Sequence, residues 1–436
     1  MNRSLTLIIT LAVLLVVDWY GFQAVKAATQ QASPGWQRFA RLLYWSFPVV
    51  ALLMFALSAT LGSDFWGRFK FVRGFLFSYI LIGYLGKIFM VPFLLLDDLS
   101  RAFRWVISHF NSSSTVDTPI VANAPDVAVP APTAQLRDPD TISRSEFLAK
   151  SALVASAVPA IAFTYGIVSG AHDYRIRRVP LVLKNLPKQF DGLRIAQISD
   201  IHSGSFFNKT AVKGGIEMLL REKPDMVFFT GDLVNDRAIE VKDYKDVFDK
   251  VKAPLGVFST LGNHDYGDYA AWNSPQEKRQ NLLDLERVHR EMGYDLLLDE
   301  HRFLEMGGEK LAIIGIQNWG TGGFAQYGNL KKAAAGTEEA PVKLLLSHDP
   351  SHWDAQVRPL FPDIDVQFAG HTHGMQFGVE TKYFRWSPVQ YRYKQWAGLY
   401  EQGDQKLYVN RGYGYIGYPG RVGMPPEITI FELKKG

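Results

Sequence analysis

The hydrophobic pattern changes character once along the 436 residues. Up to about residue 170 apolar residues come in long runs, and beyond Arg175 in short runs that end on Asp, Asn or His. The long runs predict membrane spans at about 5–25, 42–61 and 75–95 and a fourth at 147–170. Each approaches the ~20 residues a helix needs to cross a ~30 Å hydrocarbon core. Pro48, Pro92 and Pro159 fall inside them, which membrane helices tolerate. Lys87, inside the third, is expected to face a partner or snorkel. Arg3, the apolar stretch Leu5 to Val17 and the small residues Ala27 and Ala28 also fit a cleaved signal peptide. After the third run, Leu99, Phe103, Val106 and Phe110 recur at helical spacing opposite Arg101, Arg104 and Ser108. This predicts an interfacial helix or, equally, an extension of the third span. The organisation expected is a membrane region at 1–110, a Ser/Pro-rich linker at 111–146, the fourth span, and a catalytic domain at 171–436.

The short runs predict strands. They are Leu193 to Ser199, Met226 to Thr230, Val257 to Leu261, Tyr294 to Leu298, Leu311 to Ile316, Val342 to Leu346, Ile364 to Phe368, Lys406 to Val409 and Glu427 to Phe431. One helix is expected over Thr210 to Glu222. Another is announced by the capping box Ser274-Pro275-Gln276-Glu277, carries Leu282, Leu285, Val288 and Met292 on one face, and stops at Gly293. Strands that alternate with helices and then cluster describe a layered α/β domain with ligands at strand ends. Gly320 to Gly323 lacks a following Lys-Ser/Thr and reads as a flexible loop.

Charge and composition narrow the classes. The net charge of +4 lies in the first 170 residues, so the second part is balanced and lacks the basic excess of a nucleic-acid binder. With no cysteine in the chain, disulfides, thiolate zinc sites and a thiol nucleophile are excluded.

Five strand ends carry the chemistry: Ser199-Asp200-Ile201-His202, Thr230-Gly231-Asp232, Gly262-Asn263-His264-Asp265, Ser347-His348-Asp349-Pro350 and Gly370-His371-Thr372-His373-Gly374. Carboxylate, imidazole and amide oxygen together suit Mn, Fe or Zn. Asp200, His202, Asp232, Asn263, His348, His371 and His373 are too many ligands for a single ion, so two divalent metal ions sharing a carboxylate are expected. Such a pair supports in-line displacement at phosphorus. His264 is the expected proton source, with Asp265 orienting its imidazole. Asn235 reads as a turn residue, and His172, His289, His301 and His352 as surface or satisfied core positions.

In this order and context the motifs resemble those of the calcineurin-like metallophosphoesterases, over about Gly192 to Leu433. The resemblance implies an α/β fold, a four-layer αββα sandwich of two mixed sheets, preceded here by a helical membrane region. It also implies that Asp200, His202 and His373 bind one metal, that Asn263, His348 and His371 bind the other, that Asp232 bridges them, and that His264 serves the leaving group. Four spans ahead of this domain, with the tail from Arg411-Gly412 through Arg421 to Glu427, resemble the transmembrane proteins with a metallophosphoesterase domain, relatives of UDP-diacylglucosamine pyrophosphatases. Met375 follows Gly374 where many relatives have Gly, which predicts a changed pocket wall.

The activity implied is hydrolysis of a phosphoester or pyrophosphate, with a lipid or lipid-linked phosphate as substrate and the membrane as partner. A soluble phosphoester substrate and, in a different class, a metal-binding sensor or interaction module are the alternatives. Arg421 is either a phosphate clamp or a structural salt bridge. The segment Tyr383 to Trp396 mixes aromatic and basic residues, which suits a membrane interface or an aromatic core. The chain is expected in the cell (inner) membrane. Ser143-Arg144-Ser145-Glu146-Phe147-Leu148, a broken twin-arginine export pattern, inclines the catalytic domain to the outer side.

Overall fold

The computed structural model describes residues 3–111 and 143–436, so most of the expected linker, at 112–142, lies outside the described residues. The chain divides into two compact units, Met1–Ala162 and Phe163–Gly436.

The first unit is built of helices: α1 (Arg3–Ala28), α2 (Pro34–Arg68), α3 (Lys70–Asn111) and most of α4 (Arg144–Val168). Among the described residues three stretches are long and apolar enough to cross a membrane: Pro34–Ser58, Val72–Phe110 and Arg144–His172. The first expected span is helical throughout as α1 but is not among those three. The expected interfacial helix is not a separate element. Leu99 to Phe110 continues α3, since no Pro or Gly follows Leu94, and Arg101 ties to Asp97 and Asp98 across one turn. Lys87 does face a partner: it forms a buried ion pair with Asp18 of α1. Tyr84 donates to the same carboxylate at 2.9 Å, and the ammonium lies 4.5 Å from the ring centres of Tyr44 and Tyr84.

The second unit is organised by two six-stranded sheets. Its strands are β1 (Arg175–Leu183), β2 (Arg194–Ile198), β3 (Met226–Thr230), β4 (Val257–Thr260), β5 (Asp295–Leu296), β6 (Glu300–Met306), β7 (Glu309–Gly315), β8 (Lys343–Leu346), β9 (Val366–Ala369), the small hairpin β10 (Val379–Glu380) and β11 (Arg385–Trp386), β12 (Gly398–Gln402), β13 (Gln405–Val409) and β14 (Glu427–Lys435). One sheet runs β1-β14-β2-β3-β4-β5, the other β12-β13-β9-β8-β7-β6.

The period of two along each central strand explains the layering. Met226 and Phe228 of β3, Leu311 and Ile313 of β7, Leu344 and Leu346 of β8, and Phe431 and Leu433 of β14 meet in a single core between the sheets. Their alternates turn outward. Val227, Phe229 and Ile430 join helical residues such as Val212, Ile216 and Leu285 over the first sheet, while Ile314, Leu345 and Val409 join Leu330, Ala333 and Trp353 over the second. These three apolar layers are the αββα sandwich the sequence resemblance implies. The expected helices are present as α5 (Lys209–Arg221), capped by the Asn208 side chain, and Pro275–Glu291, capped by Ser274.

Candidate metal centre

Strands β2, β3 and β4 are mutually parallel in one sheet and β8 and β9 in the other, so the loops at their C-terminal ends collect along one rim. Gln197 of β2 ties the sheets together there. Its amide donates to Thr230 Oγ1 at 2.9 Å and to the Ala369 carbonyl of the opposite sheet at 3.0 Å. All the expected ligand loops meet at this rim.

The backbone of these loops is unusual. Asp200, His202, Asp232, His371 and His373 have φ of 53°, 49°, 58°, 70° and 51°, in the left-handed region that non-glycine residues rarely adopt. That five of the seven expected ligands share this strained conformation marks a built site rather than a chance gathering. Close glycines let the loops approach. A Cβ on Gly262 would collide with the Asp232 carboxylate, and one on Gly370 with Ser199 Oγ and the Asp200 carboxylate.

Two clusters result, Asp200, His202 and His373 in one and Asp232, His348 and His371 in the other, each with ligand atoms within 4.8 Å of one another. Within the first, His373 Nε2 is 3.2 Å from Asp200 Oδ1 and 3.0 Å from His202 Nε2. Asp232 Oδ2 lies between the clusters, 3.1 Å from His348 Nε2 and 3.6 Å from His202 Nε2. Asn263 Oδ1 completes the second cluster at 2.8 Å from His371 Nδ1.

These residues fit divalent ions. Burial pushes the His202 imidazole down to about 3 and holds His373 well below its ordinary value, so two neutral rings point lone pairs at the same small space. Burial also drives Asp200 up to about 6, a cost that a cation bound beside it would offset. For His348, burial alone would lower the pKa, but the adjacent Asp232 carboxylate outweighs it and raises the ring to about 10. A metal ion held here would take the place of that proton.

His264 enters from the Asn263 loop, its ring 5.0 Å from that of His202. Its Nδ1 donates to the Asn235 carbonyl at 2.7 Å, which leaves Nε2 to carry a mobile proton. Asp265 does not orient this imidazole. Its two buried oxygens accept backbone N–H groups from Asp232, Leu233, Val234 and Gly262, at 2.8 to 3.3 Å. It pins the bridging loop, and the orienting role falls to the backbone of Asn235. Arg421 is neither phosphate clamp nor salt bridge. The guanidinium is 1 % exposed and donates to the carbonyls of Arg411, Gly412, Gly414, His373 and Met424, where burial lowers its pKa to about 10.

Tyr393 was not singled out for the site, yet its hydroxyl is 2.7 Å from His371 Nε2. Asp349, next to His348, also reaches His371 Nε2, at 3.6 Å. The only sequence signal for Asp349 was its place beside a ligand; Tyr393 gave none. His172 packs edge-on against Phe207 and Tyr415, and three other histidines are held by hydrogen bonds. His289 and His352 are buried on the hydroxyls of Ser259 and Ser347, and His301 Nδ1 donates to a carbonyl. Met375 adopts φ 54°, the conformation a glycine there would take freely, and its side chain is exposed.

Comparison with known proteins bears on both units. The chain is 28% identical over 297 residues to the transmembrane protein with metallophosphoesterase domain of Danio rerio, spanning 66% of this chain and 63% of that one. It is 28% identical over 308 residues to the metallophosphoesterase YkuE of Bacillus subtilis, spanning 67% of this chain and 98% of the relative. It is 29% identical over 309 residues to the UDP-2,3-diacylglucosamine pyrophosphatase LpxG of Chlamydia trachomatis, spanning 58% and 88%. The matched region thus spans less than two thirds of the zebrafish protein. Residues 2–171 match the profile of the probable calcineurin-like phosphoesterase transmembrane domain, and residues 193–375 that of the calcineurin-like phosphoesterases. Residues 193–375, which carry the paired Asp and His clusters, are thus a calcineurin-like phosphoesterase domain, preceded by a region that matches the transmembrane domain of such phosphoesterases.

Proposed function

We propose that this protein is a membrane-anchored phosphoesterase that uses two divalent metal ions, Mn, Fe or Zn, to hydrolyse a phosphoester or pyrophosphate bond of a lipid-linked substrate. The observation that carries this reading is Asp232 Oδ2 lying within 3.6 Å of imidazoles from both clusters. One ion would be held by Asp200, His202 and His373 and the other by Asn263, His348 and His371, with Asp232 shared. Two such ions supply Lewis acidity to the phosphoryl oxygens and acidify a water molecule.

The chain's own groups supply the rest. Asp265 and the left-handed turns fix the positions of the ligand oxygens and nitrogens before substrate arrives. His264, its Nδ1 proton committed to Asn235, releases a proton from Nε2 to the departing oxygen. Tyr393 and Asp349 hold His371 in register from the opposite side. The relation to LpxG supports a nucleotide-linked diacylglucosamine as the favoured substrate. The measurement is product release by the reconstituted full chain from UDP-diacylglucosamine, simple phospholipids and a soluble chromogenic diester, with manganese supplied. Turnover of the nucleotide lipid is the expected result; turnover of the soluble diester alone would overturn the lipid assignment.

A further inference from the structure

The segment Tyr383 to Trp396 divides into two parts. Val389, Trp396 and Ala397 turn inward and pack with Met424 into a small core. Tyr383, Phe384 and Tyr391 turn outward, 89%, 57% and 80% exposed. This exposure is built in. Across the turn of the β10–β11 hairpin, Thr381 Oγ1 accepts the N–H groups of both Tyr383 and Phe384, and Thr381 N–H donates to the Phe384 carbonyl. Lys382 stands over the Tyr383 ring at 5.5 Å and, like Lys394, has no carboxylate partner among the described residues. Exposed rings gathered on one short segment, beside lysines that meet no carboxylate among the described residues, mark an interaction surface, unlike scattered single exposures.

What lies against it is indicated by α4. The last residues of that helix, from Phe163, fold with the catalytic unit. Phe163 stacks on Phe377 at 5.4 Å and touches Tyr418 at 5.0 Å, and Arg421 N–H donates to the Gly166 carbonyl at 3.1 Å. Phe377 in turn meets Trp386 of β11 at 6.2 Å, and Trp386 Nε1 donates to the Tyr391 hydroxyl. Aromatic contact therefore runs without a break from the end of a membrane-crossing stretch to the hairpin. The same segment is bonded to the metal-ligand loop: the Tyr393 hydroxyl lies 2.7 Å from His371 Nε2, Ser387 Oγ donates to the Gly374 carbonyl at 2.9 Å and Thr372 Oγ1 to the Trp396 carbonyl at 2.7 Å, so the hairpin borders the metal centre.

We propose that the hairpin β10–β11, with Tyr383, Phe384, Tyr391 and the flanking lysines, docks in the headgroup zone of the bilayer and seats the mouth of the metal centre on the membrane surface. Rings with polar tips beside lysines are the side chains that settle at that depth, and the lysines favour anionic lipid. The inference rests on reading α4 as a span, and it deepens the lipid-substrate reading by giving a lipid phosphate a route to the metals that does not leave the interface.

The chain's lack of cysteine makes the test direct. Phe384→Cys, labelled with a nitroxide, is reconstituted as full chain in vesicles of phosphatidylethanolamine with a minority of phosphatidylglycerol. Leu360→Cys is the control, exposed and placed before the N-terminal end of β9, away from the rim. The expected result is oxygen-accessible, nickel-shielded relaxation at 384 and aqueous relaxation at 360; an aqueous reading at 384, or equal immersion of both, overturns the proposal. As a second arm, Y383S/F384S should lower kcat/KM on a vesicle-borne lipid ester about tenfold while sparing a soluble diester. Immersion at 384 in a protein that turns over only soluble esters would support the docking and overturn the lipid-substrate reading, so the two can fail separately.

Discussion

Asp232 occupies the one position from which a carboxylate reaches imidazoles of both clusters, and its other oxygen accepts the His264 N–H at 2.9 Å. Its removal should therefore act on metal content as well as on rate. Asp232→Ala is expected to lose bound metal and essentially all hydrolysis, whereas His264→Ala keeps its metals and loses about 10²–10⁴-fold in kcat. Metal analysis beside kinetics on both variants checks this, and full metal content in Asp232→Ala would contradict it. A second expectation concerns His289, which burial pushes down to about 3. The unfolded chain takes up this proton near pH ~6.5, the folded protein only near its lowered value, so stability present above ~6.5 is lost as pH falls through that window, by about 1.4 kcal/mol per unit. His289→Gln removes the slope, so the Tm gap between wild type and variant should narrow from neutral pH towards pH ~4; an unchanged gap would contradict the assignment. The ligands were legible as letters, because Asp, His and Asn stood at the ends of apolar runs. The roles of Asp265, Asn235 and Arg421 were not, because each acts through backbone N–H or C=O groups, which no residue identity announces.

The elements were legible where both faces of a strand are buried. β3 is Met226–Thr230 as the apolar run predicted, and β8 and β9 differ from expectation by one or two residues. The strands not foreseen are β1, β6, β12 and the small hairpin. β1, β6 and β12 lie at sheet edges. There one side is free of pairing, so charges, and Pro180 in β1, are accepted and the apolar signal fades. The left-handed turns at the strand ends were equally hidden, since glycine and not aspartate or histidine announces that conformation. They make a prediction at this scale. Gly262→Ala and Gly370→Ala each place a methyl group against a ligand carboxylate. Both are expected to lower metal affinity by at least tenfold, ~1.4 kcal/mol, with the far-ultraviolet circular dichroism of the sandwich retained. Isothermal titration of metal into each variant measures it, and wild-type affinity would show that the loops are free to move aside.

At the scale of the whole molecule, the sequence showed two regions of different chemistry, and the structure adds what holds each together. In the membrane region it is the Asp18–Lys87 pair with Tyr84 and Tyr44 around it, linking α1 to α3. Partners 69 residues apart on different helices could not be paired from sequence. Breaking the pair should cost about 3–5 kcal/mol, because one buried charge is left alone. Asp18→Asn or Lys87→Met is thus expected to lower the Tm of the detergent-solubilised protein, and D18N/K87M to restore most of the loss; additive losses would contradict the pairing. In the catalytic domain it is the pair of sheets, whose parallel strands aim five loops at one rim. The central claim is that this rim holds two functional metal ions. The most direct measurement strips metal from the reconstituted full chain, titrates manganese back, and follows bound ions and phosphodiester hydrolysis together. The account predicts that hydrolysis is absent in the stripped protein and returns as the bound metal reaches two ions per chain. Full hydrolysis in the stripped protein, or saturation of activity with a single bound ion, would contradict it.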